Sequence, residues 1–233
     1  MDGLKNWTMA DGTLISYRQG RGDAFVVREV FLRDVYGLGT IKTRVRPIVV
    51  DIGAHIGCFC LLAHRLLNPS ILAAYEPEPD NFALLSQNML VNRVSEARLS
   101  MAAVTASGGR ARLSIHGSSG CHSLATRRSD KFVDVESVPF DRVVGGLPEI
   151  DILKIDCEGS EYEQLESASD TSLAKVERIV MEFHEFPDLD RHAEDLFSLL
   201  VSRGFEMLGK ERWFVRRKSG SCGFASFRRL SSA

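Results

Sequence analysis

Asp51, Gly53 and Gly57 stand in a D-x-G-x-x-x-G spacing between the apolar run Ile48-Val49-Val50 and a helix-like stretch. Gly53 removes a side chain where backbone can approach a ligand, and Gly57 permits close helix–strand contact. A helix N-terminus at this point offers free N–H groups to a carboxylate. The Asp51 carboxylate suits an ammonium, so the pair matches a zwitterionic amino acid. A pyrophosphate would face Asp51 unfavourably, and the G-x-G-x-x-G spacing of dinucleotide binders is absent. The next strand, Ile71 to Tyr75, ends at Glu76-Pro77. A carboxylate there can accept hydrogen bonds from both hydroxyls of a ribose. An amino-acid cradle beside a ribose acid indicates S-adenosylmethionine, whose sulfonium charge also favours nearby carboxylates.

A second constellation follows the apolar run Ile152-Leu153-Lys154-Ile155. In a strand, Ile152, Lys154 and Asp156 share one face. Ser160 and Glu163 form an S-x-x-E capping box that starts a helix directly afterwards. Asp156 and Glu158 then lie at the carboxyl end of a strand, where open α/β sheets bind ligands. A buried lysine needs a partner, and Glu182, on the strand Ile179-Val180-Met181-Glu182-Phe183-His184, is the one expected. His184, nearer the crevice and near-neutral at pH 7, is the expected general base. Asp156 could orient an acceptor, meet the methionine ammonium or hold a divalent ion.

Short apolar runs alternate with helix-like stretches from residue 47 onward, the pattern of a mostly parallel sheet covered by helices. Helices are expected over Gly57–Leu67, from an Asp80 cap to about Asn92, and over Asp190–Arg203. Further strands are expected at Arg98–Val104, Arg110–Ile115 and Val133–Val138, with a short segment at Asp141–Val144. Phe205–Leu208 and Trp213–Arg217 would pair antiparallel at the end. Residues 1–46, with Thr13–Arg18 and Phe25–Leu32 as strands or a strand and a turn, read as an N-terminal cap. Residues 47–218 form the main domain, and 219–233 a basic, solvated C-terminal tail. The polar stretch His116–Lys131 reads as a loop over the site.

Lys+Arg 29 against Asp+Glu 31 gives a net charge of −2, which argues against a protein built to coat nucleic acid. The five cysteines, Cys58, Cys60, Cys121, Cys157 and Cys222, show no CxxC pair, so neither a disulfide framework nor a zinc cluster is expected. Nothing approaches the roughly 18 apolar residues of a membrane span. The opening, Met1-Asp2-Gly3-Leu4-Lys5-Asn6, lacks the features of a signal peptide, so a cytoplasmic protein is expected.

Four segments, VVDIGAHIG, YEPEPDNFALLSQNMLVN, DILKIDCEGSEYEQLES and IVMEFHE, in this order, resemble the FkbM-type family of S-adenosylmethionine-dependent methyltransferases. The resemblance spans about residues 25–210. It implies a Rossmann-like α/β fold with about seven strands, the last antiparallel, and O-methylation of hydroxyls on natural products or sugars. By resemblance, Asp51, Gly53, His55, Gly57, Glu76 and Pro77 bind the cofactor, with His55 standing where the family commonly has Asn. Asp156, Glu158, Glu161, Glu182 and His184 line the reaction side.

The expected activity is methyl transfer to a small-molecule hydroxyl, with His184, Asp156 and Glu182 as the catalytic set and no metal required. A divalent ion such as Mg²⁺ on Asp156, Glu158 and Glu182 is a second, less favoured route to deprotonation. Methylation of an amine or nucleic acid is the alternative within the same chemistry. A non-catalytic S-adenosylmethionine-binding protein is the alternative from another class.

Overall fold

Ile48 to Ile52 are buried along their whole length, as a strand covered by helices on both faces must be. The computed structural model describes residues 3–115, 122–124, 131–216 and 220–230. A hairpin of β1 (Leu4–Thr8) and β2 (Leu14–Arg18) leads into α1 (Asp23–Val27), which continues as a π-helical turn, Arg28–Leu32. The alternating part begins with β3 (Ile48–Ile52), α2 (Cys58–Leu67), β4 (Ile71–Tyr75), α3 (Pro79–Val91) and β5 (Ala97–Ser100). A side sheet of β6 (Ala103–Thr105), β7 (Gly109–Ser114) and β8 (Phe132–Pro139) comes next. The chain then returns through α4 (Phe140–Gly145), β9 (Ile152–Ile155), α5 (Glu161–Ser167), α6 (Asp170–Leu173) and β10 (Arg178–His184). It closes with α7 (Ala193–Ser202), β11 (Phe205–Arg216) and β12 (Gly220–Arg229).

The main sheet has seven strands in the order β11-β12-β10-β9-β3-β4-β5. Strands β3, β4, β5, β9 and β10 run parallel, and β12 is antiparallel to both its neighbours. From β3 the chain moves outward to β4 on one side, and it later returns to place β9 on the other. The helices that follow β3 and β9, α2 and α5, therefore cover opposite faces of the sheet, and the carboxyl ends of these two strands form the switch point at which open α/β sheets bind ligands.

Alternation along the strands divides the core. Val50, Ile52, Leu153, Ile155, Met181 and Phe183 face α4, α5 and α7, where they meet Phe140, Tyr162, Leu165 and Phe197. Val49, Ile152 and Val180 face α2 and α3. The opening segment shares this second core through Ile15, Val27, Val30, Tyr36 and Leu38. Its edge strand β2 is also stitched to α3. The Asn88 side chain accepts from Ser16 N at 2.8 Å and donates to Ser16 O at 3.1 Å; Asn92 does the same for Leu14 at 2.9 and 2.7 Å. Two amides one helical turn apart thus satisfy backbone groups that would otherwise be left unpaired at an edge. Among the described residues, no helix is long and apolar enough to cross a membrane.

Several expected elements differ. Phe25–Leu32 is helical, because Val27 and Val30 are buried at a helical spacing. Arg98–Val104 divides into β5 and β6, which belong to different sheets. The segment at Asp141–Val144 is α4, and α3 is capped by Glu78 rather than Asp80, with Pro79 at its first position and the Glu78 carboxylate accepting from Asn81 N at 2.7 Å. The expected tail beyond residue 219 is instead β12, inserted between β10 and β11. Phe205–Leu208 and Trp213–Arg217 do not pair with each other: β11 runs through both, with register shifts at Met207/Gly209 and Arg212/Phe214. Such bulges break the period-2 pattern and make one strand read as two. Apart from residues 122–124 and 131, the loop at 116–131 lies outside the described residues, as does Cys121.

Candidate active site

The loops after β3 and β9 meet backbone to backbone. Gly53 has φ 79°, and a Cβ there would stand 1.8 Å from the Asp156 carbonyl oxygen. No L-residue fits that space. Gly53→Ala is expected to destabilise the fold by about 1–3 kcal/mol through overpacking, measured by urea denaturation. At Gly57 (φ 89°) a Cβ would meet the side-chain tips of Leu85 and Met89 on α3. This glycine therefore serves helix–helix rather than helix–strand contact, and because those tips can move, Gly57→Ala should be the milder change.

Glu76 is buried beneath the first loop. Its Oε2 accepts from His55 N at 2.8 Å, and its Oε1 accepts from Glu78 N at 2.9 Å and from the Asn81 amide at 3.4 Å. Burial raises its pKa against the opposing pull of His55 and these donors. His55 takes a left-handed conformation, φ 51°. Its Nε2 lies 3.4 Å from Asp23 Oδ1, and Arg18 pairs with the same carboxylate, Nε to Oδ2 at 3.0 Å. The opening segment thus fixes the outer wall of the loop. Pro77 follows Glu76 as expected, in the turn before the Glu78 cap.

Asp51 is sealed from solvent. Its Oδ1 lies 3.0 Å from Lys154 Nζ, and its Oδ2 accepts from Cys60 Sγ at 3.1 Å. In this structure the carboxylate faces Lys154 inside the protein, rather than outward to a ligand ammonium as expected. The expected Lys154–Glu182 pair is not formed either. Register decides it: Asp51 lies opposite Lys154 across β3 and β9, whereas Val180 is its partner on β10. Lys154 also donates to Gly53 O at 2.6 Å and approaches Asp156 Oδ2 to 3.6 Å. Burial alone would lower its pKa, but Asp51 and Asp156 hold the ammonium charged, with a pKa above the usual lysine value.

Asp156, Glu182 and His184 converge at the carboxyl ends of β9 and β10, their ligating atoms all within 4.8 Å of one another. His184 Nδ1 meets Glu161 Oε1 at 2.9 Å, and the same oxygen accepts the His184 backbone N–H at 2.9 Å. On the other side, His184 Nε2 stands 3.5 Å from Glu158 and 3.7 Å from Glu182. Burial would lower the histidine pKa, yet Glu158, Glu161 and Glu182 together raise it well above its ordinary value. The histidine expected as a near-neutral base thus stands where three carboxylates favour its protonated form. Burial, reinforced by Asp156 and Glu158, pushes Glu182 up to about 8.

One residue at the cluster, Tyr36, carried no legible role in the sequence. Tyr36, buried between Phe59 and Phe224, donates its hydroxyl to Asp156 Oδ2 at 2.9 Å. It reaches the cluster from the opening segment, where no spacing marks it. Ser160 begins α5 without a side-chain cap, and Glu163 accepts from Ala106 N instead, so the S-x-x-E box does not form. The work of orienting His184 falls to Glu161, which also accepts from Gly159 N at 2.8 Å.

Comparison with known proteins accords with this arrangement. Residues 51–207 match the methyltransferase FkbM domain. The chain is 25% identical to the 31-O-demethyl-FK506 methyltransferase FkbM of Streptomyces tacrolimicus, over 90% of this chain and 92% of that one. Among solved structures, it resembles a methyltransferase FkbM from Methylobacillus flagellatus KT, with a TM-score of 0.54 at 17% identity over 85% of this chain and 47% of that one. It also resembles M. jannaschii TYW2 in complex with AdoMet, with a TM-score of 0.50 at 14% identity over 99% and 88%. A Rossmann-like sheet with one antiparallel strand near its end, a glycine loop at the switch point and a family match over most of the chain lead to one conclusion: this protein belongs to the FkbM methyltransferase family and uses S-adenosylmethionine.

Proposed function

We propose that the protein transfers the methyl group of S-adenosylmethionine to a hydroxyl oxygen of a small molecule. The observation that carries this reading is the cluster Asp156–Glu182–His184, set directly beside the Gly53–Gly57 loop because Asp156 O packs against Gly53. Carboxylates in such a crevice suit an acceptor that must lose a proton. The name of the Streptomyces relative, which specifies a 31-O-demethyl acceptor, supports oxygen as the methylated atom.

In this reading Glu76 accepts from the ribose hydroxyls, and the Gly53–Gly57 backbone with His55 lies along the cofactor. Glu76→Ala is expected to weaken binding of S-adenosylhomocysteine by about 1–3 kcal/mol, read by calorimetry. The acceptor hydroxyl enters beside Asp156 and Glu182. Its oxygen lone pair forms the new C–O bond as the S–CH₃ bond breaks. That electron pair returns to sulfur, which loses its positive charge, and the hydroxyl proton passes to a carboxylate of the cluster. His184, whose charged form these carboxylates favour, limits the repulsion among them. Since the methyl group arrives already activated, orientation supplies much of the rate.

Tyr36 acts through Asp156, fixing the carboxylate that faces the acceptor. A hydrogen bond to a charged group is worth about 1.5–3 kcal/mol, so Tyr36→Phe should lower kcat about 10–100-fold. The KM for S-adenosylmethionine should be unchanged, which separates positioning from a loss of structure.

An amine acceptor is the second reading, favoured by the same excess of carboxylate, which would attract an ammonium. Incubation with [methyl-¹³C]S-adenosylmethionine and a panel of small-molecule alcohols, amines and RNA distinguishes them. The proposal expects the label on oxygen. Label found only on nitrogen or on RNA would refute it.

A further inference from the structure

We propose that Asp156, Glu182 and His184 bind one divalent first-row cation of the Mn²⁺ class. Glu161 orients the histidine from behind, and Glu158 adds negative charge at the rim. Three observations converge on this site. The first is geometric. Two carboxylates and an imidazole, carried on neighbouring parallel strands, bring their ligating atoms within 4.8 Å of one another. Ligands about 2.0–2.2 Å from one ion stand about 3–4 Å apart, so a small rotamer adjustment closes the set.

The second is the histidine itself. Its side chain is 6% exposed, and its Nδ1 is tied to the fully buried Glu161. A carboxylate behind a histidine fixes its tautomer and aims the other nitrogen, the arrangement that supports metal-ligating histidines. Here the aimed atom is Nε2. It faces Glu158 and Glu182 at 3.5 and 3.7 Å, too far for an ordinary hydrogen bond. A nearly sealed donor atom is thus directed into a ring of oxygens.

The third is charge. Asp156, Glu158 and Glu182 bring three carboxylates to one spot. Among the described residues, Lys154 approaches Asp156 to 3.6 Å but is committed to Asp51 at 3.0 Å and to Gly53 O at 2.6 Å. Tyr36 and Lys154 both address Asp156 through Oδ2, and neither contact uses Oδ1. A divalent ion would meet this excess in place of a proton on His184 Nε2, which ligation releases.

The donor set also selects the ion. Carboxylates suit Mg²⁺, Ca²⁺ and Mn²⁺, whereas imidazole suits first-row transition ions, so a mixed nitrogen and oxygen set favours Mn²⁺ over Mg²⁺. This differs from an ion on Asp156, Glu158 and Glu182, because His184 replaces Glu158 among the ligands. Such an ion would hold the acceptor oxygen and lower its pKa. That role rests on the hydroxyl-acceptor proposal, whereas the ion site does not.

Full-length protein stripped with chelator and titrated with MnCl₂ tests the site, with free aqueous Mn²⁺ followed by electron paramagnetic resonance. One Mn²⁺ per chain is expected. Asp156→Asn and Glu182→Gln should each weaken binding at least about tenfold, and Glu161→Gln, which touches no ion, by about 10–100-fold. Circular dichroism and S-adenosylhomocysteine affinity, both unchanged, would show that the variants are folded. No Mn²⁺ binding at millimolar protein, or binding indifferent to Asp156→Asn and Glu182→Gln, would overturn the proposal. Label transfer to oxygen that persists in excess chelator would remove the ion from the reaction and leave the hydroxyl reading standing. Site-specific Mn²⁺ binding together with label on nitrogen would do the reverse.

Discussion

Asp156→Asn is expected to lower the methylation rate about 10²–10⁴-fold, the range associated with loss of a proton-accepting group. The substitution is nearly isosteric, and the amide oxygen can still accept from Tyr36, which now donates to Oδ2 at 2.9 Å. The backbone carbonyl that packs against Gly53 is untouched. Cofactor affinity should therefore hold while turnover collapses. The comparison requires the acceptor found with the labelled panel, followed by single-turnover kinetics. A variant that retains near-full rate would show that the proton leaves by another route and that the cluster does not serve the acceptor.

The second large effect concerns stability. Lys154 and Asp51 form an ion pair at 3.0 Å with side chains 4% and 0% exposed. Removing one member of a buried pair strands the other, which typically costs about 3–5 kcal/mol. Lys154→Met is expected to destabilise the protein by that amount in chemical denaturation. Asp51→Asn combined with Lys154→Met should recover much of the loss, since neither charge then remains. A single variant that loses less than about 1 kcal/mol would mean that Asp51 finds another partner or that water reaches it.

Local spacing made part of this protein legible. Gly53 was readable because a strand, a turn and a helix fall in immediate succession, and only a glycine tolerates another backbone at 1.8 Å from a Cβ position. Glu76, Asp156, Glu182 and His184 were readable as strand-end residues, since strand ends in a parallel sheet all point to one crevice. The partner of Lys154 was not. Its face was evident, but β9 has two neighbours, and only the register across β3 chooses Asp51 over Glu182.

The upward shift of the His184 pKa was equally hidden. It follows from Glu158, Glu161 and Glu182 converging on one ring from the loop after β9, from α5 and from β10. Tyr36 lies far from Asp156 in sequence and joins it only because the opening segment packs against α2 and β12. The last strand pair was obscured by the bulges in β11 and by the Gly/Ser-rich face of β12, where Gly223, Ala225 and Phe227 face inward without a continuous apolar run.

In the proposed reading, one crevice holds the cofactor on Glu76 and directs its sulfur toward Asp156, Glu182 and His184. A crystal structure of the protein with S-adenosylhomocysteine tests it without knowledge of the acceptor. The expected result is ribose hydroxyls on the Glu76 carboxylate and the sulfur facing the Asp156–Glu182–His184 cluster across a space that admits a hydroxyl. A ribose bound elsewhere, or a sulfur turned away from that cluster, would contradict it.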